Sequence, residues 1–508
     1  MLYSTGINRI KKVVLPTIII IALFCIISQI IYVVVKPRPL TLYYTSDGNA
    51  MYVKENRNYV ISDWCKINDK WYYFDAAGHM VKGEATIGGN YYIFDKDGAL
   101  ENNWAVIDGQ KVYMLSDKTV VTGWYDINGF SYYFNPDGTY VTGKNVIDGE
   151  TFYFRDDGTL GEGWIDDQIY VNQNGTIMSG WVDIDGNTYY LKEDGTKYSG
   201  WLELDDEKYY IDANGQPAIG SQKIGDTYYI FDNTGRMINK DSIIKNLNGP
   251  ALEHEFTSYS NDTKYEETGS IVGIGGYKPD NDVKNQIKLT MDKIYEDYPD
   301  KSIGFVMIDL YTGEGMAYNI DNYVYAASCI KAPYVVSLVN EDPSRLEELR
   351  ESIEAILVYS DNDLYSSFRS RYGQEPFLKF TQSAGLNDEL SVYNYPHITP
   401  RILAAMWIEN YFILNTTDAG IELGKIMMNP EDSSIHDILS GAKAYTQSKV
   451  GWISEPGYIS TNDGGIVYPV DSSPYVIAIT SDLPSDIVSI YPIVKMIDKL
   501  HDNIDQPK

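Results

Sequence analysis

The sequence predicts a multidomain chain: an N-terminal transmembrane helix, a solenoid of β-hairpin repeats and a C-terminal α/β (α+β) domain. Three observations predict this. Residues 13–35 are an apolar run, residues 56–240 carry an aromatic beat about every 20 residues, and strand and helix patterns mix from residue 283 onward. A length of 508 residues fits roughly three domains. The chain holds 41 Lys+Arg against 71 Asp+Glu, a net charge of -30, which weighs against nucleic acid as a partner. Three cysteines make no disulfide scaffold, and five scattered histidines with no Cys/His cluster make no metal site. No nucleotide or phosphate-loop motif is present either, so no cofactor is expected. The tyrosine count, 45, is the compositional anomaly to be explained.

Residues 1–39 read as a cytoplasmic tail and a single-pass anchor. The only polar members of 13–35 are Thr17, Ser28 and Gln29. As a helix the run spans about 35 Å, enough for a hydrocarbon core of about 30 Å. Arg9, Lys11 and Lys12 precede it and Lys36 and Arg38 follow, a bias that puts the N-terminus inside and the bulk of the chain outside. A cleaved signal peptide is the competing reading; its apolar core would be shorter, and no small-residue cleavage site stands out. Residues 40–55 read as a short connector.

Within 56–240, Trp64, Trp104, Trp124, Trp164, Trp181 and Trp201 open successive units. An aromatic pair such as Tyr72-Tyr73, Tyr132-Tyr133 or Tyr209-Tyr210 follows, then a turn such as Asp97-Gly98, Asp137-Gly138 or Asn174-Gly175. Asn-Gly and Asp-Gly supply the positive φ of tight turns, so each unit reads as a β-hairpin. One hairpin cannot bury its aromatic face alone, so the units must stack. This stretch resembles the choline-binding and glucan-binding cell-wall repeats of Gram-positive surface proteins. The resemblance implies wall polymer or glucan as partner, with Trp64, Trp71, Trp104, Trp124, Trp164, Trp181 and Trp201 as ligand-binding residues. Choline capture in that family uses an aromatic cage with a Trp just before the Tyr pair. Only Trp71 fits that requirement; Asn90, Ser131, Thr188, Lys208 and Thr227 are read at the corresponding positions. Choline, sugar stacking and a pure spacer role therefore stay open.

Residues 241–282 lose the beat and read as a linker. In 283–508, Val283 to Tyr298 reads as a helix, Ser302 to Asp309 and Gly315 to Asn319 as a strand pair, and Ile398 to Phe412 as a helix. Tyr458 to Val467 and Tyr475 to Ser481 read as late strands. Three segments carry chemistry. Ser328 and Lys331 stand at i and i+3, where a deprotonated ammonium can activate the hydroxyl. Ser360-Asp361-Asn362 follows, and Lys449-Val450-Gly451 comes later.

Ser-x-x-Lys, Ser-Asp-Asn and Lys-x-Gly in this order resemble the class A β-lactamases and related penicillin-recognising serine hydrolases. The resemblance implies Ser328 as acyl-accepting nucleophile and Lys331 as its base. It also implies that Ser360 relays a proton to the leaving nitrogen, that Asn362 and Gly451 bind substrate, and that Lys449 attracts the substrate carboxylate. The backbone N–H groups of Ser328 and Trp452 would form the oxyanion hole. The implied substrate is a β-lactam or a D-Ala-type wall peptide. Two departures stand out. Val450 replaces a hydroxyl residue, and Leu386 to Pro400 lacks the Glu-x-x-Leu-Asn whose Glu activates the deacylating water. Glu389 is the acid nearest to that position. The expectation is a membrane-anchored surface hydrolase with poor β-lactam turnover; the alternative is a surface binding protein whose catalytic domain has decayed.

Overall fold

The computed structural model describes residues 41–45, 49–53, 58–249, 270–484 and 486–504. The predicted anchor at 13–35 lies outside them. Among the described residues no helix is long and apolar enough to cross a membrane. The chain divides into two compact units. One holds the described residues up to Ser179 together with Lys192–Thr196; the other holds Gly180–Leu191 and everything from Lys197 onward.

The first unit is a run of antiparallel two-stranded hairpins. In the hairpin Asp63–Ile67/Lys70–Phe74, the register places Trp64 opposite Tyr73 and Lys66 opposite Trp71. The hairpin turn is therefore Asn68-Asp69, both with positive φ (49° and 67°), as a type I′ turn demands. This corrects the sequence reading: Ala77-Gly78, Asp97-Gly98 and their counterparts lie after the second strand and connect one repeat to the next. At those exits a carboxylate folds the chain back, as where Asp75 Oδ1 accepts from the Ala77 and His79 amides at 2.9 and 2.8 Å. The glycine has a second reason to be there. A Cβ on Gly158, whose φ is 85°, would lie 2.2 Å from Tyr140 Cδ2 of the preceding turn. Stacking is aromatic. Trp64 meets Tyr92 and Phe94 of the next hairpin at 5.0 and 5.7 Å, and Trp124 meets Phe152 and Phe154 at 5.0 and 5.7 Å. Each such pair contributes about 0.5–1.5 kcal/mol beyond its area. The connector expected at 40–55 holds a hairpin of its own, Thr41–Tyr44 with Ala50–Val53.

The second unit contains three more hairpins, beginning at Gly180, Gly200 and Gly220, and an α/β region. That region is built on a six-stranded sheet in the order Ile271–Ile274, Gly315–Tyr318, Ile303–Asp309, Tyr475–Ser481, Tyr458–Pro469, Ala444–Glu455. Its neighbouring strands are all antiparallel. Strands from both ends of the region pair because the strand Tyr475–Ser481 is buried along its whole length and needs partners on each side. One face carries the helices Asn281–Asp297 and Tyr491–His501. The other carries the largely buried helix Pro400–Thr416, whose N-terminus is capped by Thr399. Arg401 grips Asp321 through two bonds of 2.8 and 3.0 Å and reaches the Leu247 carbonyl at 2.8 Å.

The linker expected at 241–282 is in part structure. Its first residues form the helix Lys240–Leu247, and Ile271–Ile274 pairs with Gly315–Tyr318 as a sheet edge. Ile230, Ile238, Ile243, Ile244 and Leu247 all join the main core of the α/β region. The last hairpin is fastened at its surface as well. Tyr228 and Lys223 both bond Asp418, Ser221 bonds the Asn415 carbonyl, and Lys240 bonds Glu409 at 2.6 Å. Burial therefore overrides the polar composition that marked this stretch as a connector.

Large aliphatics deleted from a core cost about 2–5 kcal/mol each. A fragment beginning at residue 220 is thus expected to melt cooperatively. A fragment beginning at residue 270 is expected to melt at least 10 °C lower or to lack a cooperative transition, as read by circular dichroism.

Candidate active site and aromatic clefts

The three chemical segments converge at the sheet edge. Ala327–Ile330 form a single 3-10 turn that runs into the helix Lys331–Glu341. Ser328 therefore sits in a tight turn ahead of the α-helix rather than inside it, and Lys331 lies three residues on, nearly eclipsed with it. The edge strand Ala444–Glu455 packs against this turn so closely that a Cβ on Gly451 would lie 2.5 Å from Ser328 N and 2.2 Å from Cys329 N. Only glycine fits there, and Trp452 follows it on the exposed side. Asn462, on the neighbouring strand, fixes the turn in place. Its Nδ2 donates to the Tyr325 and Ala326 carbonyls at 2.8 and 3.0 Å, and its Oδ1 accepts from Ser481 N at 3.1 Å.

Lys331 is fully buried and donates to the Ser360 carbonyl (2.5 Å), Ser360 Oγ (3.3 Å) and Asn362 Oδ1 (2.6 Å). Asp361 caps the helix Asn362–Tyr372 by accepting from Leu364 N. Beyond the repeats, three non-glycine residues among those described have positive φ: Asn319, Ala327 and Ser360. Two of the three flank this cluster, which marks stored backbone strain at the site. Lys449 is 1% exposed and bonds only its neighbour's carbonyl, Val450 O, at 3.2 Å.

Burial drives both lysines toward neutrality. Desolvation, reinforced by the Lys449 charge, lowers Lys331 to about 7, against a weaker pull from Asp361. Desolvation lowers Lys449 to about 8, against Asp463, Cys329 and Asp432. Asp463 is buried behind the strand and accepts from Ser433, Ser434 and Ile435 N, yet burial still raises it to about 6. Cys329 is buried, its thiol is pushed well up by desolvation, and it donates to the Ala326 carbonyl. It is therefore a packed residue rather than a nucleophile. Val450 is 3% exposed and offers no hydroxyl. Glu389 is exposed on a 3-10 turn. His397 is half-buried and stacked on Tyr323 at 5.1 Å, with its basicity lowered by burial.

In the repeats the strand register corrects two of the expected cage positions. Tyr91 and Tyr228, rather than Asn90 and Thr227, stand where Trp71 stands. The Tyr pair shifts by one residue in these hairpins, which misled the sequence alignment. The cages are occupied from within. Lys118 Nζ lies 3.7 Å from the Trp71 ring centre and 4.8 Å from that of Trp64. Lys111, itself at a Trp71-equivalent position, lies 4.6 Å from the Trp104 ring and 5.6 Å from the Tyr140 ring. Trp201 and Tyr229, 4.8 Å apart at 74°, wall a cleft of about 320 Å³ that Glu203, Lys208 and Met237 complete. Trp124, Trp181 and Trp201 are each about two-fifths exposed (42%, 38% and 41%). Trp164 packs edge-on against Tyr170 of its own hairpin at 5.2 Å. Lys111 could have been found from the 20-residue register; Lys118 and Tyr395, described below, left no signal in the sequence.

Residues 60–104 and 121–165 match a family model described as choline-binding repeat. Residues 179–197 and 199–216 match one described as putative cell wall binding repeat. The chain thus carries choline-binding and cell-wall-binding repeats. No curated protein sequence matches it. Among solved structures, CbpJ from Streptococcus pneumoniae TIGR4 is similar at 19% identity, covering 39% of this chain and 94% of that one with a TM-score of 0.27. Choline binding protein F from Streptococcus pneumoniae, solved in the presence of a peptidoglycan analogue, is 21% identical, covering 39% and 93% with a TM-score of 0.25. The structure of L2 complexed with relebactam is 16% identical, covering 41% and 93% with a TM-score of 0.34.

An ammonium over an aromatic face is worth about 0.5–2 kcal/mol, so an external quaternary ammonium must displace Lys118. The expected outcome is that Lys118→Ala improves choline affinity about tenfold. Tryptophan fluorescence during a choline titration reads this directly.

Proposed function

We propose that this chain is a cell-surface serine hydrolase, anchored in the membrane by residues 13–35 and held at the wall by its repeats. It would transfer acyl groups through Ser328 from a β-lactam or a D-Ala-type wall peptide. The observation that carries this reading is the buried Lys331 ammonium, bonded to Ser360 and Asn362, one helical turn from Ser328 and in the field of Lys449. A lysine held near neutrality by burial is a competent general base.

In this mechanism neutral Lys331 takes the Ser328 Oγ proton as Oγ attacks the carbonyl carbon. The developing oxyanion would be received by the N–H groups of Ser328 and Trp452, a role supported by the close approach of Gly451, the residue before Trp452, to Ser328 N. The C–N bond then breaks, and the proton passes from Lys331 through Ser360 to the leaving nitrogen. Lys449 supplies the positive field for a substrate carboxylate. Asn362 and Gly451 line the acyl side. The wall polymer is the partner of the repeats, and the exposed faces of Trp124, Trp181 and Trp201 support sugar stacking over choline capture.

The second reading, a binding protein with a decayed catalytic region, draws on the buried Val450 and on the lack of a loop carboxylate beside Lys331. Intact-mass spectrometry after incubation with benzylpenicillin separates the two. A lasting adduct that Ser328→Ala abolishes supports the hydrolase. Absence of both adduct and turnover would favour decay.

The buried lysines set a pH signature. Below about 7 Lys331 carries its proton and cannot act as base, so acylation should fall about tenfold per pH unit. Above about 8 Lys449 loses its charge and with it the attraction for an anionic substrate. Acylation by a carboxylate-bearing substrate should therefore be bell-shaped, with its maximum between those values. A neutral ester should show only the acidic limb.

A further inference from the structure

The loop that lacks the expected glutamate is not loose. Arg369, buried in the helix Asn362–Tyr372, donates to the Ser391 and Tyr393 carbonyls and to Asn394 Oδ1 at 2.7, 3.2 and 3.1 Å. Tyr365 Oη donates to the Asn394 carbonyl at 2.8 Å. The residue these bonds deliver to the site is Tyr395. Its ring lies 5.4 Å from Tyr365 and 6.1 Å from Tyr325, and Tyr325 lies 5.0 Å from Tyr458. Tyr395 Oη donates to Asn362 Oδ1 at 3.2 Å, the same oxygen that receives Lys331 at 2.6 Å.

An amide oxygen that accepts two donors fixes which way its NH₂ points. Asn362 is exposed, so its Nδ2 is presented outward, toward the cleft. Burial raises the Tyr395 phenol to about 12, so it stays a donor and never a base at neutral pH.

We propose that Tyr395 is a positioning residue that locks the Asn362 amide toward the acyl group and whose ring fills the side of the site where a deacylating water would need a base. The acyl group on Ser328 then outlasts many turnovers of a competent hydrolase. This rests on the reading of Ser328 as nucleophile. In deacylation, water must lose a proton to a base as its oxygen bonds the acyl carbon; the ester C–O bond breaks and Ser328 Oγ regains a proton. Tyr395 cannot accept that proton, and its ring holds the position from which another base would have to act.

The test uses the full chain and p-nitrophenyl acetate, following p-nitrophenol release in stopped flow. The wild type should give a burst of one equivalent and a slow steady state. Tyr395→Phe keeps the ring stack and removes one donor. Its burst should slow about tenfold. The groups facing Lys331 are Ser360, Asp361, Asn362 and Tyr365 from one side and Lys449 from the other. With Tyr395 no longer sharing Oδ1, the Lys331 ammonium is held better, so the acidic limb should move to higher pH. Tyr395→Glu supplies the absent carboxylate and should raise the steady-state rate at least tenfold while shrinking the burst. An unshifted limb and unchanged burst in Tyr395→Phe, or an unchanged steady state in a folded Tyr395→Glu, overturns the proposal. A burst that persists in Ser328→Ala, or no burst in the wild type, instead overturns the nucleophile and this proposal with it.

Discussion

Two buried lysines close enough to feel one another's charge are the constraint around which the C-terminal region is organised. Neither Lys331 nor Lys449 can be buried as a charge without compensation: desolvation lowers both, and the Lys449 charge lowers Lys331 further. The surroundings read as the answer to that problem. Ser360 adopts a left-handed backbone so that its carbonyl can meet Lys331. Asn362 turns its oxygen inward. Asp463 stays buried behind the strand, its carboxylate held by two serines and a backbone amide, where it offsets part of the positive field. Asn462 then binds the sheet to the Ser328 turn, so the strain is borne by the fold and not by the site alone.

Much of this was legible in the chain. Hydrophobic patterning placed the helix near Asn281–Asp297 and the strands Ile303–Asp309 and Tyr475–Ser481 within a residue or two, because burial on both faces leaves an unbroken apolar run. The short motifs singled out Ser328, Lys331, Ser360, Asn362 and Lys449, and the structure sets Lys331 against Ser360 and Asn362 and Gly451 against the Ser328 turn. What was not legible depends on distant partners. Nothing local distinguishes Tyr395 from the other tyrosines of its loop until Arg369 and Tyr365 pin that loop. Nothing in 241–282 announces a strand, because Ile271–Ile274 is an edge held by Gly315–Tyr318. The turns of the repeats were misassigned for a simpler reason: both loops of each unit require positive φ, so composition does not tell the hairpin turn from the exit.

In the repeats, the residues that stack the hairpins and the residues that border the exposed rings are different sets. Stacking rests on the second-strand aromatics, joined by a first-strand Trp in most units; Glu84 and Lys144 stand at that position in two of them. Beside the Trp rings the chain carries Lys111 and Lys208, with Lys118 reaching in from a neighbouring turn. A positive charge supplied in cis makes the aromatic face electrostatically satisfied, so what remains on offer is flat ring surface.

The last hairpin has a different consequence, one that concerns how such an arm can grow. Where most earlier units open with Trp, it has Ser221, and its Tyr228 and Lys223 are committed to Asp418. It has become an adaptor, and adaptors are not interchangeable with the units they follow. Duplicating it would place Ser221, Tyr228 and Lys223 against another repeat, where no Asp418 exists. Lengthening the arm over generations is therefore confined to copying units upstream of Gly220, and the joint to the α/β region is inherited as a single piece.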